Sequence, residues 1–225
     1  MKITILTLFP KMFDALNESL IGKAINKGLL DIEVVNFRDF SLDKHKKTDD
    51  YAFSGGAGMV LTPQPIYDAI QSVLTPESYV VYMSPKGTPL TQNKVKQLAR
   101  EIKHLIIICG HYEGLDERII TLCVNEQISI GDFILTGGEI PALALVDSVS
   151  RYVDGVLHNS ESVEDESFSD GLLEYPQYTR PQEFMGLRVP DVLLNGNHKE
   201  IAKWKQEQKI LETKKYRPDL LNKKD

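Results

Sequence analysis

Three stretches of the chain place glycine and small polar residues directly after apolar runs, where main-chain groups can hold a small ligand. Ser84-Pro85-Lys86-Gly87 follows Met83, Gly110-His111-Tyr112-Glu113-Gly114 follows Cys109, and residues 131–138, bounded by Gly131 and Gly138, follow Ile130. Glycine lets backbone amides approach a ligand closely, and helix N-termini favour its anionic parts. A single stretch of this kind is an ordinary turn or helix cap, but three along one edge of an open sheet form a binding edge. The common nucleotide signatures are missing. No G-x-G-x-x-G opens a helix after a strand and no G-x-x-x-x-G-K-[ST] occurs, which excludes the familiar dinucleotide and phosphate-loop folds. His45, His104, His111, His158 and His198 have no metal-ligand spacing with Cys109 and Cys123, and there is no G-x-S-x-G nucleophile elbow.

The elements that must position these stretches alternate strand with helix. Residues 2–9 read as a strand, and Pro10 opens a helical pattern over 12–30 with Phe13, Leu16, Leu20, Ile21 and Ile25 on one stripe and Gly28 at its end. Further strands are predicted over 32–37, 79–83, 105–109 and 127–130, and helices over 66–74, 92–102, 117–124 and 140–152. Residues 105–109 are wholly apolar, which suits a central parallel strand covered on both faces. The alternation predicts an α/β fold with a mostly parallel sheet. Residues 156–170 are acidic and serine-rich with no period, which predicts a flexible linker. The tail then offers Asn197 as a helix cap, Glu200 three residues on, and Ile201, Trp204, Gln208 and Leu211 at helical spacing. Trp204 reads as the core of a small helical domain, with stacking on RNA as the alternative.

With 225 residues, 42% of them apolar, the chain can bury a core without staples, and its two cysteines read as reduced thiols of a cytoplasmic protein. No apolar run approaches the roughly 20 residues that span a bilayer, and the first residues are too short and too alternating for a signal peptide. A net charge of −6 argues at first against a nucleic-acid partner. The charge is segregated, however. Residues 154–174 hold seven acidic side chains and no lysine or arginine, whereas residues 196–225 hold nine basic against five acidic. Either a polyanion-binding appendage or a solvated helix face explains that tail.

Taken in order, the motifs resemble the bacterial tRNA (guanine-N1)-methyltransferase family of the SPOUT class. The resemblance runs from Thr7-Leu8-Phe9-Pro10 through Asp49-Asp50, Gly55-Gly56-Ala57-Gly58-Met59 and the three glycine stretches, and on to Asp170-Gly171-Leu172-Leu173 and Tyr178-Thr179-Arg180-Pro181. It ends with Leu194-Asn195-Gly196-Asn197-His198 and Arg217-Pro218-Asp219-Leu220-Leu221, so it covers nearly the whole chain.

The resemblance implies a deep trefoil knot that wraps S-adenosylmethionine. It implies a knotted domain over 1–155, a linker over 156–171 and a small helical tRNA-binding domain over 172–225. The implied cofactor contacts are Met83, Ser84, Gly110, Tyr112, Glu113, Ser129, Ile130, Gly131, Asp132, Phe133, Ile134, Leu135, Gly137, Gly138 and Pro141. The implied partners are tRNA rather than DNA, and a second copy of the chain that completes the site; no membrane is involved. Magnesium is also implied, with no ligands fixed by the spacing. The expected reaction is methylation of guanine N1 at tRNA position 37, just 3′ of the anticodon. N1 carries a proton at neutral pH, so the reaction needs a base there and a cation at O6. The family's arginine falls on Arg151. Its catalytic aspartate, which precedes a Ser-Phe pair, falls on Glu166 before Ser167-Phe168, with Asp165 as the neighbouring candidate. His111 stands where many members have arginine, and both a helix-capping and a substrate-facing role are open to it. Ser54 and Ala57 also depart from the family's glycine- and proline-richer loop.

Overall fold

The computed structural model describes residues 1–157 and 166–222, and the chain divides into two compact units, Met1–His158 and Asn159–Asp225. In the first unit, β1 (Lys2–Thr7), β2 (Asp31–Asn36), β5 (Ser78–Pro89), β6 (His104–Cys109) and β7 (Glu126–Ser129) form one parallel sheet. Its order is β2-β1-β6-β5-β7, so the three strands that lead into the glycine stretches are neighbours. A short antiparallel hairpin, β3 (Asp49–Tyr51) with β4 (Met59–Leu61), stands apart from the sheet.

Strand β6 shows why the sheet is buried on both sides. Leu105, Ile107 and Cys109 join one apolar layer with Val95 and Leu98 of α3 (Gln92–Glu101) and Leu145 and Val149 of α5 (Glu139–Ser150). Ile106 and Ile108 face the other layer, with Ile66 and Ile70 of α2 (Pro63–Val73) and Ile119 of α4 (Glu117–Cys123). Alternate side chains of one strand thus serve two helix layers, which only a strand free of polar residues can do. The α/β class and the parallel sheet follow the sequence pattern.

Local departures have physical causes. The single helix expected over 12–30 is split into a 3-10 turn, Pro10–Asn17, and α1 (Ser19–Asn26). Glu18 is extended, and a Cβ on Gly22 would collide with the Asn17 carbonyl, so the chain folds back tightly at that glycine. Both cysteines are free thiols. Val156, placed by the sequence at the start of the linker, is 5% exposed and packs with Ala24 and Leu30.

In the second unit, β8 (Glu183–Phe184) pairs with β9 (Leu187–Arg188), and α6 (His198–Tyr216) is capped by Asn197, whose side chain accepts from the Glu200 N–H. Trp204 lies in an aromatic group, 6.3 Å centroid to centroid from both Tyr175 and Tyr178. Leu211, expected on the buried stripe, is 54% exposed; Lys209 and Thr213 are the buried residues of α6. Lys209 Nζ donates to Asp170 at 3.1 Å, and the Leu173 N–H donates to Thr213 Oγ1 at 2.9 Å. The end of the expected linker is therefore docked on α6 by polar contacts that hydrophobic periodicity does not register.

His104, at the start of β6, is buried with both ring nitrogens engaged: Nε2 lies 2.9 Å from Thr4 Oγ1 and Nδ1 lies 2.8 Å from Ser78 Oγ. Burial first, and Lys2 second, push its pKa below the usual value, against the pull of Glu33 and Asp31. A histidine whose folded pKa is depressed stabilises the fold above its unfolded pKa of about 6.5 and loses that contribution as pH falls. The melting temperature is expected to drop between about pH 7 and pH 5, with a smaller drop in His104→Gln. Equal drops in thermal scans of the two proteins would show that another group titrates.

Candidate active site

The ends of β5, β6 and β7 open into a cavity of about 260 Å³, near the roughly 300 Å³ at which small-ligand pockets begin. The strands deliver their loops differently from the simple pattern in the sequence. Ser84 to Gly87 does not end β5 but leaves the ladder within it, because Met83 and Thr88 both pair with Ile128. Pro85 has no N–H to give the ladder, and a Cβ on Gly87 would run into the backbone of Gln127 and Ile128.

The second loop is held from two sides. The Gly114 N–H donates to the His111 carbonyl at 3.0 Å, closing a turn in which Tyr112 has φ 58°. A non-glycine residue in the left-handed region is uncommon and concentrates at functional sites. Strand β4 is laced to the same loop, with the Glu113 N–H on the Met59 carbonyl at 3.0 Å and the Leu61 N–H on the Gly114 carbonyl at 2.9 Å. The third loop lies against the second. The Gly138 N–H donates to the Gly110 carbonyl at 2.8 Å, and a Cβ on Gly138 would stand 2.8 Å from Gly110 N and Cys109 Cα. Ser129 fixes the start of the third loop, its Oγ donating to the Gly131 carbonyl at 3.0 Å.

Every cofactor contact implied by the sequence lines this cavity except Asp132, which is exposed outside the lining. Sequence reasoning missed Tyr82, Lys86, Glu117 and Gln127, which also line it. Tyr82 sits inside an apolar strand run and reads as core. Its hydroxyl fills the space that a Cβ on Gly110 would need, at 2.7 Å, and burial raises its pKa so that it stays a neutral phenol. The walls combine apolar surface from Met83, Ile130, Leu135 and Pro141 with the charges of Lys86, Glu113 and Glu117. Such a cavity suits a flat heterocycle joined to a charged, polar group. Among the described residues no group of three or more His, Cys, Asp or Glu side chains is arranged to hold a metal ion. Nor, among them, is any helix long and apolar enough to cross a membrane.

A family model described as tRNA (Guanine-1)-methyltransferase TrmD matches residues 1–223. The chain belongs to the TrmD family. A tRNA (guanine-N(1)-)-methyltransferase of Clostridioides difficile strain 630 is 52% identical over 99% of this chain and 98% of its own. The enzymes of that name in Clostridium botulinum strain 657 and Staphylococcus haemolyticus strain JCSC1435 are 54% and 51% identical, each over 99% of this chain. For a TrmD-family chain the residues expected to do the proton chemistry are split between the two units. Arg151 caps the end of α5 in the first unit, its N–H on the Asp147 carbonyl at 3.3 Å. Glu166 begins the described part of the second unit, where its carbonyl accepts from the Ser169 N–H at 3.2 Å. Asp165 lies outside the described residues.

Proposed function

We propose that this protein transfers a methyl group from S-adenosylmethionine to N1 of guanine 37 of tRNA. The carrying observation is the cavity at the ends of β5, β6 and β7, lined by the implied cofactor contacts in a chain of the TrmD family. S-adenosylmethionine bound there supplies the methyl group and leaves as a neutral thioether as the new N1–C bond forms. Met83, Ile130, Leu135 and Pro141 offer apolar surface for the adenine ring, Gly110 and Gly138 bring backbone close to it, and Glu113 supplies an anion for the cationic end. The Glu166 carboxylate takes the N1 proton, and Arg151 holds the charge pushed onto O6. No step here passes through magnesium, since no residues gather to hold it.

The contact of Gly138 with Gly110 and Cys109 supports a knotted path, because the third loop is drawn against the base of the second. Phe133 and Ile134, 54% and 79% exposed, give apolar surface that a second copy would cover. Asn159–Asp225, with the basic face of its tail, is the part proposed to hold the tRNA. The test uses labelled S-adenosylmethionine and unmodified tRNA transcripts with G or A just 3′ of the anticodon. Label is expected on the G transcript alone. Label on both would refute the guanine assignment, and label on neither would leave a binding protein without the chemistry.

A further inference from the structure

One buried charge plays no part in the proton chemistry proposed above. Glu139, the first residue of α5, is 1% exposed. A buried carboxylate is costly unless it is hydrogen-bonded and paired, and here three elements supply the partners. Thr7, at the end of β1, donates its hydroxyl to Oε1 at 2.8 Å, and His111, in the second glycine loop, places Nε2 3.1 Å from Oε2. The helix N-terminus favours the same negative charge. Thr7 Oγ1 in turn accepts from the Phe9 N–H at 2.9 Å, and the Phe9 ring packs on the His111 ring with centroids 4.8 Å apart. Thr7, Glu139, His111 and Phe9 therefore form a closed ring of contacts.

That ring sits where the second and third loops meet. His111 pairs with Gly137 across an isolated antiparallel bridge, and a Cβ on Gly137 would strike both His111 Nε2 and Glu139 Oε2. His111 lines the cavity, whereas Thr7 and Glu139 do not. With its side chain only 18% exposed and held by Glu139 and Phe9, His111 is turned toward the protein rather than outward to substrate. The other ionisable groups near it are Tyr112 and Glu113 on its own loop, Lys86 and Glu117 across the cavity, and the Cys109 thiol, which burial first and the charge of Glu139 second push well up.

We infer that Glu139 is a positioning residue for the cofactor: through His111 it fixes the second loop against the third, so that the pocket is built before the ligand arrives. The inference rests on the reading of the cavity as the S-adenosylmethionine site. A preorganised loop spares the ligand the cost of ordering it, so the effect falls on affinity. It also gives His111 a defined job as the cation or donor facing a buried carboxylate, one that an arginine can fill.

The test is calorimetric titration of S-adenosylmethionine into the full chain and its variants, with melting temperatures alongside. Glu139→Gln and His111→Ala are expected to weaken binding about tenfold each, and His111→Arg to stay within about threefold of the native chain. In the Glu139→Gln background, His111→Arg should no longer differ from His111→Ala, because the two positions act as one unit. Two results would overturn the inference. One is a folded Glu139→Gln with unchanged affinity, whether or not its melting temperature moves. The other is equal loss in His111→Ala and His111→Arg, which would make the imidazole itself a ligand contact. No binding by the native chain would overturn the cavity assignment and this inference with it.

Discussion

Glu166→Ala is expected to slow single-turnover methylation of tRNA by about 10²–10⁴-fold, the usual contribution of a positioned general base, or roughly 3–5 kcal/mol of barrier. S-adenosylmethionine binding should be unchanged, because Glu166 is outside the cavity lining. The size of the effect follows from the acceptor. Guanine N1 has no free lone pair while it is protonated, so loss of the base affects the chemical step rather than binding. The local frame is ordered: Phe168 N–H donates to the Leu172 carbonyl at 2.7 Å, and Glu174 N–H donates to Ser167 Oγ at 2.9 Å. Asp170, tied to Lys209, anchors the next turn. Glu166→Ala with near-native single-turnover rates, together with loss of rate in Asp165→Ala, would move the base by one residue.

How far the sequence could be read depended on the kind of interaction involved. The apolar run of β6 announced a central parallel strand because hydrophobic burial is recorded directly in residue type. The cavity edge was visible for a related reason, since the glycines at 110 and 138 mark a close approach that any side chain would block. The ring around Glu139 was not visible. Its members, Thr7, His111 and Glu139, lie far apart in sequence, and a glutamate after Gly138 looks like an ordinary first-turn acid of a helix. The extent of the linker was misjudged at both ends for similar reasons. Val156 is a single apolar residue in a polar stretch, and the hold of Lys209 on Asp170 is an ion pair across 39 positions. Tyr82 shows the remaining difficulty, because an aromatic residue in a strand gives no sign of which end of it faces a cavity.

Gly138→Ala is expected to abolish detectable binding of S-adenosylmethionine while leaving the circular dichroism spectrum native. Gly138 has φ −84° and ψ −3°, values any residue can adopt, so backbone strain is not the cause. The methyl group would meet backbone atoms of Cys109 and Gly110 at 2.8 Å, and neither can swing aside. Relief requires the third loop to lift from the second, which breaks the Gly138 to Gly110 hydrogen bond and opens the wall that both loops share. Retained binding would mean that the close approach is not needed for the pocket. The same variant tests where Glu166 acts. Coexpressed Gly138→Ala and Glu166→Ala chains that pair at random form mixed dimers in about half of cases. If the carboxylate of one chain serves the pocket of the other, each mixed dimer keeps one complete site, and activity should reach about a quarter of the native value. If each chain uses its own carboxylate, no complete site exists in any pairing, and activity should stay at the level of the separate variants.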